Sequence, residues 1–524
     1  MLKLLDTRRP RLLLILFCIA LWTPGFFTLP PGDRDESRFA QATKQMLETG
    51  DFIRIQNGTE ARNRKPIGIH WLQAPFAAAA RAAGVATENP VWPYRVPSFL
   101  GALIAVLGTF WAGEALVGRR AALLGAAMLA SCVVLSIEAH IAKTDAALLG
   151  ATVLAMGVLA RAYLDPGAVR RRHALLFWLA MGVGVLLKGP ITPMVVGLAA
   201  LALLAVDRRA AWLRALRPGW GVPLLLAVVA PWFIAIGVAT GGRFFADAIG
   251  GDLARKLSSG DDAHGGWPGL HLLLLPVLLF PATAALPGAA VRAWQSRTAP
   301  ATRFLIAWIV PAWLVFEAAP TKLPHYPMPL YPAIALLAAA WVLDPARRPL
   351  SRIAAALPAL VGALLAGAVV ALPGTVHGSV WLAAPAVVAA LLVGWLAAWG
   401  RLLPALLAMP LLYWAALGWE LPRLEPLWIA PRVAALAPAP LGSVGFSEPS
   451  LMFLAGTGTQ WLLAGDGARA LADGSIAALL VGDRDLAAVR ADLARLGLQP
   501  RVLAEVPGFN YSRGRTVLLT LLAR

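Results

Sequence analysis

Apolar residues in this chain come in long runs. Thirteen of them are predicted as membrane spans, at about 12–30, 94–117, 121–138, 145–163, 174–187, 190–206, 221–240, 269–290, 303–318, 327–343, 352–372, 379–398 and 402–418. The fifth and sixth are short and share the break Lys188-Gly189-Pro190. Arginine crowds alternate connections: Arg8, Arg9 and Arg11, then Arg119 and Arg120, Arg170 to Arg172, Arg208 and Arg209, Arg292 and Arg297, and Arg347 and Arg348. The positive-inside rule places that set in the cytoplasm. With thirteen spans the N-terminus is cytoplasmic too. The segment 31–93, the loop 241–268 and the tail from 419 then lie outside.

The polar stretches between the runs have patterns of their own. Phe39, Ala42, Thr43, Met46 and Leu47 recur at helical spacing, with Asp35 near the start and Gly50 at the end. "IHWLQAPFAAAARAAG" predicts a second short helix, and both are expected to lie flat at the interface. In the tail, "GSVGF", "IAALLVGD" and "RTVLLTLLAR" predict strands. "RDLAAVRADLARLG" predicts a helix with Leu486, Val489, Leu493 and Leu496 on one face. The expected fold is therefore an α-helical polytopic membrane protein. Residues 1–430 form the membrane domain, and 441–524 form a small external α/β domain.

Composition agrees. Of 524 residues, 59% are hydrophobic and 14% charged, against roughly 25% charged in soluble domains. The net charge is +18, but the basic residues sit in short connections, which argues for topology and against nucleic-acid binding. Cys18 and Cys132 both fall inside apolar runs, so no disulfide framework or cysteine metal site is expected.

Charges at the outer ends of spans depart from this trend. Asp35, Glu36 and Arg38 follow the first span, and Glu138, His140, Lys143 and Asp145 separate the third from the fourth. Lys65, Lys188 and Lys322 each precede a proline by one or two residues, in "NRKPIG", "LLKGPI" and "TKLPHYPMPLYP". A lone lysine there can simply snorkel to water. Three on one face suit a phosphate ligand at a cavity. Aspartates beside them suit a reaction at a hydroxyl, or a metal ion. Transfer of a sugar from a polyprenyl phosphate is one reaction among several that this chemistry fits.

"DRDESRFAQATKQMLETGDFI", "RKPIGIHWLQAP", "LLKGPI" and "TKLPHYPMPLYPAIALLAA" closely resemble the aminoarabinose-transferase-like and protein O-mannosyltransferase-like families. These are integral-membrane glycosyltransferases of the GT-C class. "GDDAHGGWPGLHLLLLPVL", "VGFSEPSLMFLAG" and "VPGFNYSRGR" extend the likeness over nearly the whole chain. The resemblance implies an inverting transfer from a polyprenyl-phosphate sugar to lipid A, another glycolipid or glycan, or a protein, at the periplasmic face of a bacterial inner membrane.

It implies Asp35 as the catalytic carboxylate, with Glu36 and Arg38 completing its motif and contacting substrate, and Asp145 as the second acidic position, also catalytic. Lys65, Lys188 and Lys322 would contact donor phosphate, with His325, Tyr326 and Tyr331 supplying polar groups around Lys322. One departure stands out: many relatives carry Glu where this chain has Arg64. That reversal argues against carrying a metal site across. No metal ligands are assigned, and dependence on a divalent metal stays open. The rival from another class is a transporter or flippase for a lipid-linked sugar, but the two related halves common in transporters are not found.

Overall fold

The structure, a computed structural model, describes residues 2–85, 89–253, 265–347 and 351–524. His264 and Arg348, and the centre of the 241–268 loop, lie outside the described residues.

The chain begins with α1 (Pro10–Trp22), then α2 (Asp35–Thr49), the two-residue strands β1 (Gln56–Asn57) and β2 (Glu60–Ala61), and α3 (Gly68–Ala82). The next helices are α4 (Trp92–Leu116), α5 (Arg119–Ser131), α6 (Val133–Ala139), α7 (Asp145–Leu164), α8 (Arg171–Lys188), α9 (Ile191–Asp207) and α10 (Pro218–Thr240). Among the described residues, seven helices are long and apolar enough to cross a membrane: α4, α7, α10, Pro300–Ala318, Arg352–Thr375, Val380–Ala398 and Leu402–Arg423. With α5 and α6 taken together as one bent span there are eight. This is a multi-pass membrane protein.

Two expected spans are broken. The run 121–138 bends by 63° between α5 and α6, where Cys132 adopts an extended conformation. The run 269–290 divides into helices Leu270–Leu278 and Ala285–Gln295, joined through a tight turn at Ala282–Ala284. Between the short fifth and sixth runs, α8 and α9 meet at Gly189 and Pro190.

The central pair is α4 and α7. A Cβ on Gly101 would lie 2.4 Å from the Ala147 Cα, and one on Gly150 would lie 2.8 Å from the Gly101 carbonyl oxygen. Only glycine allows that approach, the small-residue packing common between membrane helices. It fixes the start of α7, where Asp145 is the first helical residue.

Gly50 closes α2 in the left-handed conformation, φ 74°. The helix does not lie flat at a surface. Phe39, Ala42 and Met46 are buried on one side, and Gln41, Lys44 and Gln45 on others. Its second partner is the C-terminal unit.

That unit is a five-stranded sheet of β3 (Leu441–Val444), β4 (Gln460–Trp461), β5 (Ala478–Gly482), β6 (Arg501–Asn510) and β7 (Arg515–Ala523), in the order β4-β3-β5-β7-β6. Strands β4, β3 and β5 run parallel; β7 is antiparallel to β5 and β6. One face packs Leu451, Leu480, Leu519 and Leu521 with Ile429 and Val433, and the other packs Leu471, Val481, Val489, Leu493 and Leu522. Helix Leu486–Arg495 buries Val489 and Leu493 as expected, but Leu496 lies beyond its end and is exposed.

Candidate functional site

The start of α2 is held by a buried ion pair. Arg95, in the first turn of α4, donates from Nε to Glu36 Oε1 (2.8 Å) and from Nη2 to Oε2 (3.0 Å). Its remaining donors reach the carbonyls of Phe26, Leu29 and Pro30. Glu36 also accepts from the backbone amides of Gly32 (2.7 Å) and Ala142 (2.9 Å). The expected ligand contact for Glu36 is thereby corrected. Both its oxygens are occupied inside the protein, and its work is to fasten three segments together.

The third of those segments carries the charged residues between α6 and α7. Ser98 Oγ on α4 donates to the Lys143 carbonyl (3.0 Å). Lys143 Nζ pairs with Glu138 (2.9 Å) and lies 3.7 Å from Asp145. Lys188, the last residue of α8, donates to the other Asp145 oxygen and sits 5.2 Å from the centre of the Tyr326 ring. His325 spans both acids, 3.6 Å from Glu138 and 3.7 Å from Asp145. Burial pushes its imidazole down to about 3, with Lys143, Lys188 and Lys65 adding to the effect against the pull of Asp145. It is therefore neutral at neutral pH. His325 and Tyr326, expected around Lys322, instead serve Asp145 and Lys188.

Asp35 is the first residue of α2, and no side-chain cap forms at that end. Its carboxylate is about half exposed and lies 3.8 Å from Arg62. Burial raises the acid's pKa, but Lys65, Arg62, Lys143 and Arg38 together outweigh it and leave it below the ordinary value. Arg62 and Lys65 both lie over the Phe39 ring, 4.4 and 4.9 Å from its centre. Lys65 has no ion pair or hydrogen bond among the described residues. Burial lowers its ammonium to about 8, partly opposed by Asp35 and Asp145 and reinforced by Lys188 and Arg62. The fields of Asp35, Asp145, Lys188 and Arg62 thus meet at Lys65.

Two expected members fall elsewhere. Lys322 turns its ammonium onto the carbonyls of Glu317 (2.8 Å) and Ala319 (2.6 Å), closing the end of helix Pro300–Ala318. Among the described residues it makes no ion pair with Asp35 or Asp145. Tyr331 is fully buried in the helical core. Arg64 is exposed at the loop surface. Among the described residues no group of three or more His, Cys, Asp or Glu side chains is arranged to hold a metal ion.

Arg95 and Arg62 escaped the sequence reading. The signal for Arg95 was present: a guanidinium inside an apolar run needs a buried partner. The C-terminal unit also reaches the site. The Tyr511 hydroxyl accepts from the Asp33 amide, and Arg34 donates to the Ser512 carbonyl. Along α2, Lys44 donates to the Phe453 carbonyl (2.8 Å) and Gln41 to the Thr457 hydroxyl (2.8 Å).

The family model for dolichyl-phosphate-mannose-protein mannosyltransferase matches residues 64–234, which include Lys65, Arg95, Asp145 and Lys188. The undecaprenyl phosphate-alpha-4-amino-4-deoxy-L-arabinose arabinosyl transferase of Pectobacterium carotovorum is 29% identical over 391 residues, 71% of this chain. Its counterpart in Pseudomonas paraeruginosa is 30% identical over 313 residues, 58% of this chain. The matched regions span 66% and 54% of those two relatives' own lengths. The crystal structure of ArnT from Cupriavidus metallidurans bound to undecaprenyl phosphate superposes with a TM-score of 0.76 at 20% identity, covering 97% of each chain. The chain shares the fold of that solved structure. In sequence it is similar to the undecaprenyl phosphate-alpha-4-amino-4-deoxy-L-arabinose arabinosyl transferases.

Proposed function

We propose that this protein is an inverting glycosyltransferase that moves a sugar from a polyprenyl-phosphate carrier to an acceptor at the membrane surface. The observation that carries the reading is the cluster in which Arg62 and Lys65 lie over Phe39, Arg62 stands 3.8 Å from Asp35, and Lys188 pairs with Asp145. The relatives named for an undecaprenyl-phosphate amino sugar favour that donor class, and lipid A is the acceptor we propose.

Lys65 binds the donor phosphate, since its ammonium lies over the Phe39 ring and makes no ion pair or hydrogen bond among the described residues. Lys188 is shared between Asp145 and that phosphate, and Arg38 adds positive charge nearby. The bond from the anomeric carbon to the phosphate oxygen breaks, and the phosphate leaves with the electron pair stabilised by these cations. The acceptor oxygen attacks the opposite face of the same carbon. Asp35 directs it. A carboxylate with a depressed pKa is a weak base, which suits positioning an acceptor that is already ionised, such as a lipid phosphate. A hydroxyl acceptor would pass its proton to Asp35. Asp145 holds Lys143 and Lys188 in place.

In this reading the chain crosses the membrane thirteen times, with the N-terminus cytoplasmic and the site periplasmic. The segment 31–93, the loop 241–268 and the 441–524 domain cover the site, with 1–430 as the membrane domain. Mass spectrometry of envelope lipids tests the acceptor. Cells with the protein should contain lipid A enlarged by one sugar unit, and cells without it should not. Identical lipid A profiles would refute lipid A as the acceptor.

A further inference from the structure

A cavity of about 1460 Å3 opens at the end of the helices away from Asp35. Leu116, at the end of α4, lines it, whereas Arg95 at the start of α4 belongs to the site. Twenty-one residues of helix separate them, about 30 Å.

The rim carries Arg119, Arg120, Arg292, Arg347 and Arg401 against a single acid, Asp344. Asp344 neutralises Arg292 (2.9 Å), and Asp6 pairs with Arg120 (3.1 Å). Among the described residues, Arg119, Arg347 and Arg401 have no carboxylate partner. Arg119 donates to the Thr7 carbonyl and Arg347 lies over the Trp341 ring. Three helices also begin here without side-chain caps: α5 after Gly118, helix Pro300–Ala318 after Ala299, and helix Leu402–Tyr413 after Arg401. Their free amides add positive potential to that of the guanidinium groups. Below the rim the wall is apolar, with Leu124, Leu305, Leu337 and Leu402.

We propose that this cavity binds an anionic phospholipid. Arg119, Arg347 and Arg401 hold the head-group phosphate, and the acyl chains lie along the leucine wall. A soluble phosphate would satisfy the rim but leave the apolar wall and most of the volume unused. Basic pockets between helices, on the arginine-rich side of a membrane protein, suit lipids of this charge.

Native mass spectrometry of the full-length protein in detergent tests this, with equal amounts of phosphatidylglycerol and chain-matched phosphatidylcholine. Wild type should retain phosphatidylglycerol preferentially. The pair Arg119→Ala with Arg401→Ala should lose that preference, by about fivefold per arginine. The pair Arg119→Lys with Arg401→Lys should keep most of it. Equal retention of the two lipids by wild type overturns the proposal whatever the variants do. So does an unchanged preference in the alanine pair, or its loss in the lysine pair as well. Displacement of phosphatidylglycerol by the same concentration of inorganic phosphate would mark a soluble-anion site and equally overturn it.

Discussion

Arg95 and Glu36 face each other in a two-pronged ion pair, 2.8 and 3.0 Å, with the two side chains only 2% and 5% exposed. Asp35 is the next residue along α2, and Glu36 also grips the Ala142 amide, three residues before Asp145. Asp35, proposed to act on the acceptor, and Asp145, which holds the lysines, are thus located by one buried pair. Removing one partner strands a charge that the other half was built to neutralise. Arg95→Ala is expected to destabilise the fold by about 3–5 kcal/mol. Arg95→Lys should rescue little of it, because an ammonium cannot form the fork. Thermal unfolding of the detergent-solubilised protein measures this; a melting temperature like that of wild type in Arg95→Ala contradicts it.

Lys65 makes donor binding sensitive to alkali. Its ammonium, lowered to about 8 from an ordinary 10.5, keeps its charge below that pH and loses it above. Donor affinity should therefore fall as pH rises through about 8. In Lys65→Arg, whose guanidinium stays charged, the fall should vanish. A titration of fluorescent polyprenyl phosphate across pH 7 to 9 distinguishes the two, and equal slopes would count against the assignment.

The C-terminal unit should dock more firmly in mild acid. Burial raises the Asp33 carboxyl to about 6 from an ordinary 3.8, and Glu448 adds to the shift while bonds from Ser450 and Tyr511 oppose it. A folded-state pKa above the unfolded one means this group's contribution is complete below about pH 4 and is lost as pH rises through about 6. Hydrogen exchange over residues 30–36 and 447–451, corrected for intrinsic rates, should speed up from pH 5 to pH 7. Asp33→Asn should abolish the difference. Uniform protection in both proteins would rule this out.

Lys188 and Lys322 should behave differently, although their sequence settings look alike. Lys322→Ala removes a hydrogen-bonded closure of helix Pro300–Ala318, so stability falls while donor affinity changes little. Lys188→Ala removes a cation beside Asp145, so donor affinity falls. Comparison of binding constants with melting temperatures checks both, and a large affinity loss in Lys322→Ala would return that lysine to the phosphate site.

Much of the fold was legible because apolar runs report membrane burial directly. The kink at Cys132 was not, since "LASCVVLS" contains neither proline nor glycine to mark a break. In the tail, β6 escaped because Glu505, Pro507 and Gly508 interrupt its alternation. Motif likeness singled out Asp35, Lys65, Asp145 and Lys188 as candidates. It misassigned Glu36 because a motif does not reveal which side chain is saturated by a partner fifty-nine residues away. It placed Tyr331 beside Lys322 because sequence proximity says little once a helix turns its side chains inward.

The central claim is that Asp35 acts on the acceptor while the lysines hold the donor. Purified protein supplied with a radiolabelled undecaprenyl-phosphate sugar and lipid A measures both steps at once. Wild type should transfer label to lipid A and release undecaprenyl phosphate. Asp35→Asn should retain the donor with near wild-type affinity yet transfer no label. Wild-type transfer by Asp35→Asn would contradict the account.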